Sequence, residues 1–415
     1  MRIIHTADWH LGHTFFGYDR AEEHTHFLKW LKDEIKKHSV DALIVAGDVF
    51  ETANPSASAQ RLFYKFIHDV TQENPHLQVV IIAGNHDSAA RLEAPKYILE
   101  IANTEVRGYV VKHQDGSIEY DRMTVYLKDR EGVDRVACMC VPFVRQGDYP
   151  MVKDADNQYT DGVKRLYEEY SSFLKNNKPE SVNHIVAVGH LHTMGAEIAD
   201  KDHSERIVIG GLDAINTSAF DDSLSYVALG HIHKAQRVGG KKNIRYSGSP
   251  IPLSFAEKNY KHSVVFVDLP NKGEIRIEKL YIPRLVQLLS VPSNGVCAPI
   301  KEVMRELESL PHCLDEAPFL EVKVLLDEPE PMLKQNIMSV LEDKNYRLVR
   351  IEQTFKGISN NIEKEESKWN KGLEHISPAD VLKLEYSNKY QSELPDDIAE
   401  LFVEAYDEAN NVENE

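Results

Sequence analysis

Short apolar runs alternate with amphipathic helical stretches through the first half of this chain, and this alternation constrains its fold more than any other feature. The strand-like runs, which are rich in β-branched residues, are Arg2–Thr6, Ala42–Ala46, Gln78–Ala83, Ile185–Val188 and Tyr226–Leu229. The helical stretches between them include Glu22–Lys37, Ser58–Thr71 and Gly162–Leu174. An alternation of this kind is typical of an α/β fold.

The pattern changes at Ile282-Pro283, which we interpret as a domain boundary. Before it lies the first α/β domain, and beyond it further strand and helix patterns predict a smaller α/β domain that ends before a polar, charged stretch. The predicted organisation is a first domain over 1–282, a second over 283–358, a linker over 359–376 and a helical segment over 377–412.

The last segment is predicted to hold two short helices. Ser377-Pro378 combines a favourable N-cap with a first-turn proline. A second helix that begins at Leu394-Pro395 would place four apolar residues on one stripe, namely Ile398, Leu401, Phe402 and Ala405. Two helices this short cannot bury both of their stripes alone, so they either pack on their own domain or dock on a partner helix or coiled coil.

The charge of the chain is unevenly distributed. Its 415 residues carry a formal net charge of −18, of which residues 283–415 contribute −13 and the first 282 residues −5. These values exclude a basic protein that coats a polyanion. They do not exclude a polyanionic substrate, because bound divalent cations would offset most of the −5 and dominate the local field.

Cysteine usage and hydropathy indicate a cytosolic protein without a membrane span. The chain has no stretch of eighteen apolar residues, and its start lacks the charged and apolar regions of a signal peptide. The four cysteines are too few and too irregularly spaced for a disulfide framework or a CxxC zinc site.

Residues that commonly bind metals follow five of the predicted strands, in most cases directly after a glycine. The strings are Asp8-Trp9-His10, Gly47-Asp48, Gly84-Asn85-His86-Asp87, Gly189-His190 and Gly230-His231-Ile232-His233. Sites in open α/β sheets form at the carboxyl ends of strands, so these side chains are expected to converge. The candidate ligands are Asp8, His10, Asp48, Asn85, His190, His231 and His233. This mixture of nitrogen and oxygen donors without thiolates suits two ions such as Mn²⁺ or Fe²⁺ and argues against a structural zinc.

Two of these residues are predicted to have distinct roles. Ions about 3.5–4 Å apart need a bridging carboxylate, and Asp48 is the natural candidate. His86 follows a candidate ligand directly, so it can face a substrate without binding metal, with Asp87 or another acceptor orienting its ring. There it could stabilise charge on phosphoryl oxygens or assist the leaving oxygen. His192, two residues after His190, remains an alternative ligand or a neutral neighbour.

The series D-x-H, GD, GNHD, GH and GHxH resembles the calcineurin-like metallophosphoesterase superfamily. The longer strings resemble bacterial SbcD-type DNA-repair exonuclease subunits; they are His5-Thr-Ala-Asp-Trp-His-Leu-Gly, Val45-Ala-Gly-Asp-Val-Phe, Ala83-Gly-Asn-His-Asp-Ser, Tyr226-Val-Ala-Leu-Gly-His-Ile-His and Tyr246-Ser-Gly-Ser-Pro-Ile-Pro-Leu-Ser-Phe. The resemblance is dense over about residues 1–270. It implies a layered αββα sandwich that forms the nuclease domain, a small α/β capping domain that faces DNA, and a C-terminal helical pair.

Carried over by position, the resemblance divides the candidate ligands between two divalent metal ions, and it implies that both are Mn²⁺. One ion would be held by Asp8, His10, Asp48 and His233. The other would be held by Asp48, Asn85, His190 and His231, with His86 catalytic but not a ligand. Glu51 is a departure, because archaeal relatives carry a histidine there that is thought to act on exonuclease substrates, whereas bacterial members tend to have an acid.

The function that this resemblance implies is a Mn²⁺-dependent DNA nuclease subunit, a 3′→5′ exonuclease on duplex ends and an endonuclease on single strands and hairpins. An SbcC-like coiled-coil ATPase would bind residues 377–412, and a homodimer is left open. A phosphomonoesterase or cyclic-nucleotide phosphodiesterase of the same superfamily is the alternative enzyme, and a catalytically decayed scaffold is the alternative from another class. Basic residues predicted to contact DNA phosphates are Arg20, Arg61, Arg91, Arg145 and Lys234.

Overall fold

A computed structural model describes residues 1–197, 214–314 and 316–355, together with isolated residues between 382 and 402. The chain divides into two compact units. The first comprises residues 1–289 and 313–319, and the second comprises residues 290–312 and 320–415. The predicted linker lies outside the described residues, and the predicted helical segment is described only at those isolated positions.

The described part of the chain contains eighteen strands and eight α-helices. The strands are β1 Arg2–Thr6, β2 Thr14–Phe15, β3 Tyr18–Asp19, β4 Ala42–Ala46, β5 Gln78–Ile82, β6 Thr104–Arg107, β7 Thr124–Lys128, β8 Asp134–Val141, β9 His184–His190, β10 Tyr226–Gly230, β11 Gln236–Arg237, β12 Ile244–Tyr246, β13 Ser263–Asp268, β14 Arg276–Tyr281, β15 Leu288–Val291, β16 Ala298–Pro299, β17 Phe319–Leu326 and β18 Arg347–Phe355. The helices are α1 Ala21–Lys37, α2 Ala57–Glu73, α3 Ala89–Glu93, α4 Lys96–Ile101, α5 Tyr120–Met123, α6 Gln158–Asn177, α7 Ile300–Ser309 and α8 Leu333–Leu341.

Two six-stranded sheets form the first unit. The first has the strand order β14-β13-β1-β4-β5-β6, and the second has the order β11-β12-β10-β9-β8-β7. Their central strands pair in parallel, so the carboxyl ends of β1, β4 and β5 lie at one edge of the first sheet, as those of β9 and β10 do in the second. Antiparallel strands border the parallel group on one side in the first sheet and on both sides in the second.

Buried side chains between the two sheets make the central layer of this unit. Residues of β1, β4 and β5 share one hydrophobic cluster with residues of β8, β9 and β10, among them Ile44 and Val188. A second cluster joins the outer face of the first sheet to α1 and α2, and a third joins the outer face of the second sheet to α6. The four layers confirm the αββα sandwich.

The strands follow from composition and burial. β4 and β5 are nearly continuous runs of Val, Ile, Leu and Ala, as expected of parallel strands covered on both faces. The helices α1 and α2 alternate apolar and polar residues at helical spacing, and Ser56 caps α2 by accepting the N–H of Ala59. The strands and helices predicted for the first half of the chain are present, with ends that shift by a few residues.

The second unit contains a sheet around β17. This strand is bordered by β15, β16 and β18, with α7 and α8 in the same unit. Ser290 donates a hydrogen bond of 2.6 Å to the buried Glu321, and Val303, Leu307 and Ile337 are fully buried. Among the described residues no helix is long and apolar enough to cross a membrane.

Candidate metal centre

The predicted ligands follow the carboxyl ends of strands from both sheets. The segments after β1 and β4 run side by side, because Asp8 donates its N–H to Gly47 O at 3.0 Å and His10 donates to Asp48 O at 3.0 Å. The second sheet approaches them where the backbone N–H of His231 donates to Asp8 Oδ1 at 2.8 Å. The seven candidate ligands therefore meet at one edge of the sandwich.

Trp9 anchors the segment after β1. Its indole is fully buried and packs edge-on against Phe27 of α1 and Phe63 and Phe66 of α2, with ring centroids 5.8, 6.4 and 5.5 Å away. Aromatic pairs of this geometry add stability beyond the area that they bury. The helices hold the side chain of Trp9. The side chains of its neighbours Asp8 and His10 therefore lie on the opposite side of this segment, toward the second sheet.

Two glycines allow the close approach that the site requires. A Cβ on Gly47 would lie 2.3 Å from His190 Nδ1, and one on Gly84 would lie 2.1 Å from Asp48 Oδ1. Gly47 also has a φ of 89°. Four ligand candidates, Asp8, His10, Asp48 and His231, also have positive φ angles. Such backbone typically costs about 1–3 kcal/mol per residue and concentrates at functional sites.

Asp48 lies at the centre of the group. Its Oδ2 is 3.3 Å from His190 Nε2 and 3.6 Å from His10 Nε2, and its Oδ1 accepts the backbone N–H of His86 at 2.9 Å. Histidines assigned to different ions therefore approach the same carboxylate oxygen. This is the arrangement expected of a bridging ligand.

The candidate ligands surround two predicted ion positions. Position A is the space beside Asp8, His10, Asp48 and His233, and position B is the space beside Asp48, Asn85, His190 and His231. In position B, Asn85 Oδ1 lies 2.9 Å from His190 Nε2 and 3.0 Å from His231 Nδ1.

The side chains of this site fit divalent cations. Asp8, His10 and His233 offer ligand atoms within 4.8 Å of one another, and so do Asp8, Asp48 and His190. Asp8 Oδ2 and His10 Nε2 are buried and have no hydrogen-bond partner among the described residues. Buried polar atoms are nearly always paired, so these two atoms fit the role of ligands to a cation. His192 belongs to no such cluster in the described part of the chain.

The electrostatics of the site are dominated by Asp48 and the histidines around it. Burial lowers the pKa of His190, but the facing Asp48 carboxylate outweighs it and raises the pKa to about 9. Burial raises the pKa of Asp48, but His190 and the other histidines outweigh it and hold the carboxyl ionised. For His231, burial and the neighbouring His190 lower the pKa to about 3, so its ring is neutral and can donate a lone pair to a metal.

His86 is oriented by an acceptor other than Asp87, which is the second of the two alternatives that the sequence left open. Its Nδ1 donates to the backbone carbonyl of Glu51 at 2.8 Å, which leaves Nε2 for a substrate. Asp87 does not contact this ring; its buried carboxylate accepts the backbone N–H groups of Val49, Phe50 and Gly84. Of the two alternatives, the structure therefore shows the other acceptor, the Glu51 carbonyl, and Asp87 instead joins the loops after β4 and β5. His86 also forms a metal-compatible group with His10 and Asp48, so its role as a non-ligand stays a prediction.

Two glutamates that contact ligand histidines were missed as functional residues. Glu257 is almost fully buried, and its Oε1 lies 3.0 Å from His233 Nδ1. Glu51, noted only as a departure from archaeal relatives, has its Oε2 2.8 Å from His10 Nδ1. The string that begins at Tyr246 resembles SbcD-type proteins, but no ligand was predicted in it. It ends two residues before Glu257, so this string was the sequence signal that could have led to the glutamate.

The five predicted DNA-contacting cations have different environments. Arg20 is fully buried and bonds to Glu23 and to Pro252 O, with the rings of Phe15 and Phe319 about its guanidinium, so its prediction was wrong. Lys234 is engaged with Glu197, and its contact with DNA stays a prediction. The remaining three, Arg61, Arg91 and Arg145, are exposed.

Comparison with known proteins is consistent with this geometry. The calcineurin-like phosphoesterase family matches residues 1–235, and the family described as type 5 capsule protein repressor C-terminal domain matches residues 284–390. The chain is 36% identical over 362 residues to the SbcD subunit of the nuclease SbcCD from Rhodobacter capsulatus, covering 84% of this chain and 86% of that protein. It is 32% identical over 353 residues to the protein of the same name from Escherichia coli K12, covering 82% of each chain. Together with the sandwich fold, these matches identify the chain as a member of the SbcD family of calcineurin-like phosphoesterases, which are hydrolases of phosphodiester bonds.

Proposed function

We propose that this protein is the Mn²⁺-dependent DNA nuclease subunit of an SbcCD-like complex that acts in the cytoplasm on DNA ends. It would digest duplex ends 3′→5′ and cleave single strands and hairpins. The observation that carries the proposal is the position of Asp48 Oδ2 between His10 and His190, within a set of seven nitrogen and oxygen ligands. The names of the relatives support DNA as the substrate.

The residues of the site divide the chemistry between them. Divalent ions in such a pair supply polarisation of the phosphoryl oxygens and activation of water at neutral pH. Asp48 joins the two ion positions. Because the Nδ1–H of His86 is used by Glu51 O, a protonated His86 would donate from Nε2 to a phosphoryl or leaving oxygen.

The test is digestion of end-labelled DNA by the purified protein with Mn²⁺. We expect release of nucleotides from the 3′ end of a duplex and cleavage of a hairpin, and no release after chelation. Labels on the 3′ and the 5′ strand ends separate the two polarities. Turnover of a small phosphate ester without nucleotide release from DNA would favour the alternative phosphomonoesterase or cyclic-nucleotide phosphodiesterase. Lack of any Mn²⁺-dependent turnover would favour the decayed scaffold.

The C-terminal segment is proposed to bind an SbcC-like coiled-coil ATPase. Its described residues include a helical start at which Ile398 and Ala399 donate to Pro395 O at 3.1 and 3.0 Å. Leu401 is 65% exposed and Ile398 is 37% exposed, so apolar side chains of this helix are accessible. An accessible apolar stripe supports docking on a partner helix.

Deletion of residues 373–415 is expected to abolish stable association with that ATPase and to leave Mn²⁺-dependent cleavage by the isolated subunit intact. The reason is that the metal centre lies wholly in the first unit. Co-purification and cleavage are measured together. A double variant, Ile398→Asp with Leu401→Asp, should weaken association in the same direction. A truncated chain that still bound the ATPase with unchanged affinity would contradict the assignment.

A homodimer through α4 is the second association that we propose. Tyr97, Ile98 and Ile101 of this helix are 81%, 72% and 86% exposed, and together they form an apolar patch on the first unit. Adjacent exposed apolar side chains commonly mark a protein interface, and a two-fold contact would pair this patch with itself.

The substitution Ile101→Glu is expected to convert a dimer into a monomer, because it would place like charges opposite each other across that contact. Analytical ultracentrifugation of the full chain measures the change. Leu314→Glu, which alters an exposed leucine outside α4, is the control and should leave the dimer unchanged. A dimer that tolerated Ile101→Glu, or a wild-type monomer, would exclude this interface.

The exposed arginines Arg61, Arg91 and Arg145 are proposed to contact DNA phosphates. Removal of one phosphate-binding charge should flatten the dependence of log K on log salt concentration by about 0.9 for duplex DNA. Each arginine is therefore changed to glutamine, and binding is measured over a salt series in Ca²⁺ to prevent cleavage. An unaltered slope for a variant would remove that arginine from the interface.

A further inference from the structure

Both histidines of position A have a glutamate at Nδ1. Glu257 Oε1 lies 3.0 Å from His233 Nδ1, and Glu51 Oε2 lies 2.8 Å from His10 Nδ1. For His10 this is the ring nitrogen remote from the ion position, because its Nε2 is the unpaired buried atom. The two glutamates come from different segments, one after β4 and the other in the turn Phe255–Glu257.

Position B lacks this support. His190 donates its Nδ1–H to the backbone carbonyl of Ala46 at 2.8 Å, and His231 Nδ1 lies 3.0 Å from Asn85 Oδ1, which is itself a ligand candidate. Among the described residues, no carboxylate other than that of Asp48 forms an ion pair with either ring. The two ion positions therefore share Asp48 but differ in the carboxylates around them.

A carboxylate at Nδ1 affects metal binding in two ways. It fixes the tautomer and the orientation of the ring, and it makes the other nitrogen a stronger donor to a cation. It also adds negative charge close to the ion. Asp8 and Asp48 both offer an oxygen close to His190 as well as to the histidines of position A, so they do not distinguish the two positions. The difference lies in Glu51 and Glu257, which stand behind the histidines of position A.

The burial of Glu257 gives this contact further weight. Its carboxylate is 1% exposed and is held by His233, by the Leu253 N–H at 3.0 Å and by Ser249 Oγ at 3.4 Å. Burying a charged carboxylate is costly unless an opposite charge compensates it. A divalent ion on the far side of His233 would supply that compensation.

We propose that Glu257 and Glu51 are positioning residues of the metal centre and that they make position A the tighter of the two, so that it fills first. The inference rests on the ligand set of the proposed function. Glu257 has the larger effect because it is buried, whereas the side chain of Glu51 is 30% exposed.

The test is titration of the metal-free full chain with Mn²⁺ in the absence of DNA. Calorimetry and the electron paramagnetic resonance signal of free Mn²⁺ both report occupancy. We expect two classes of site in the wild type. His10→Ala, which removes a ligand candidate assigned to position A alone, should remove the tight class, and Asn85→Ala, which removes a ligand candidate assigned to position B alone, should remove the weak class.

The substitution Glu257→Gln keeps the size of the side chain and removes its charge. We expect it to weaken the tight class by roughly 10- to 100-fold and to leave the weak class unchanged. Glu51→Gln, at a partly exposed position that folding tolerates, should weaken the tight class less. Glu34→Gln is the matched control, because Glu34 also contacts a histidine, His38 at 3.0 Å, but on α1 and away from the site.

The outcomes separate this inference from the proposed function. Tight binding that neither Glu257→Gln nor Glu51→Gln weakens would overturn the positioning role, and loss of the tight class in Asn85→Ala would overturn the order of filling. Both results would leave a functional metal centre. A wild-type chain that bound no Mn²⁺ would instead overturn the metal centre and this inference with it.

Discussion

Asp48→Asn is expected to reduce Mn²⁺-dependent DNA cleavage by at least roughly 10³-fold, because the variant lacks the carboxylate that is proposed to bridge the two ion positions. Metal ions contribute several kcal/mol of transition-state stabilisation, and each 1.36 kcal/mol corresponds to a tenfold change in rate. Asp48 Oδ2 lies within 3.6 Å of one histidine assigned to each ion, so loss of its charge is expected to affect both positions. Initial rates on end-labelled duplex and metal content by mass spectrometry are measured together.

Asparagine is a suitable replacement at this position. Asp48 has a φ of 50°, and Asn tolerates the left-handed region better than most residues. Its side-chain oxygen can still accept the N–H of His86, so the loop should keep its conformation. Asp222→Asn, at a highly exposed aspartate, is the control. Cleavage by Asp48→Asn at a rate near that of the wild type would refute the two-ion mechanism.

His86→Ala is expected to lower the cleavage rate by roughly 10²–10⁴ while both ions remain bound. The reason is that Nδ1 of His86 is committed to Glu51 O, and the remaining nitrogen is assigned to the substrate. Single-turnover cleavage gives the rate, and Mn²⁺ titration gives the occupancy.

His192→Ala provides a matched comparison for this experiment. His192 lies two residues after a ligand candidate and belongs to no metal-compatible cluster of the described residues, so its loss should change neither rate nor occupancy. Loss of metal from His86→Ala in proportion to the loss of rate would make His86 a ligand.

The sequence predicts the residues that follow strand ends far better than it predicts their partners. Asp8, Asp48 and His190 each follow a recognisable apolar run, and parallel strands bring their carboxyl ends to the same edge. Glu257 and His233 are 24 residues apart in the sequence, and a turn brings them together. The hydrophobic periodicity of the sequence does not predict the direction of that turn. Spacing along the chain therefore predicted the candidate ligands that meet in the structure and missed the glutamates behind two of them.

Arg20 illustrates the converse error. In the sequence, a lone arginine close to a string of candidate ligands is the kind of residue that contacts phosphates. In the structure, Glu23 one helical turn later pairs with Arg20, and Pro252 O accepts its Nη1–H at 2.9 Å. The latter contact spans 232 residues and cannot be read from local sequence. The short helices α3 and α4 were also missed, because helices of five and six residues carry too little periodicity to be recognised. The four-residue strand β6 was missed as well.

The candidate ligands come from both sheets, and this has a thermodynamic consequence. Where Gly230 of the second sheet approaches the first, an added Cβ would lie 2.0 Å from Ala46 O and 2.8 Å from the Cβ of Ala7. The ions would therefore act as a cross-link between two halves that are already in close contact. Metal affinity and the mutual fit of the sheets then become linked quantities, since binding energy at such a site is also folding energy. A substitution that merely forces the sheets apart at Ala7 or Gly230 would weaken metal binding without altering a single ligand.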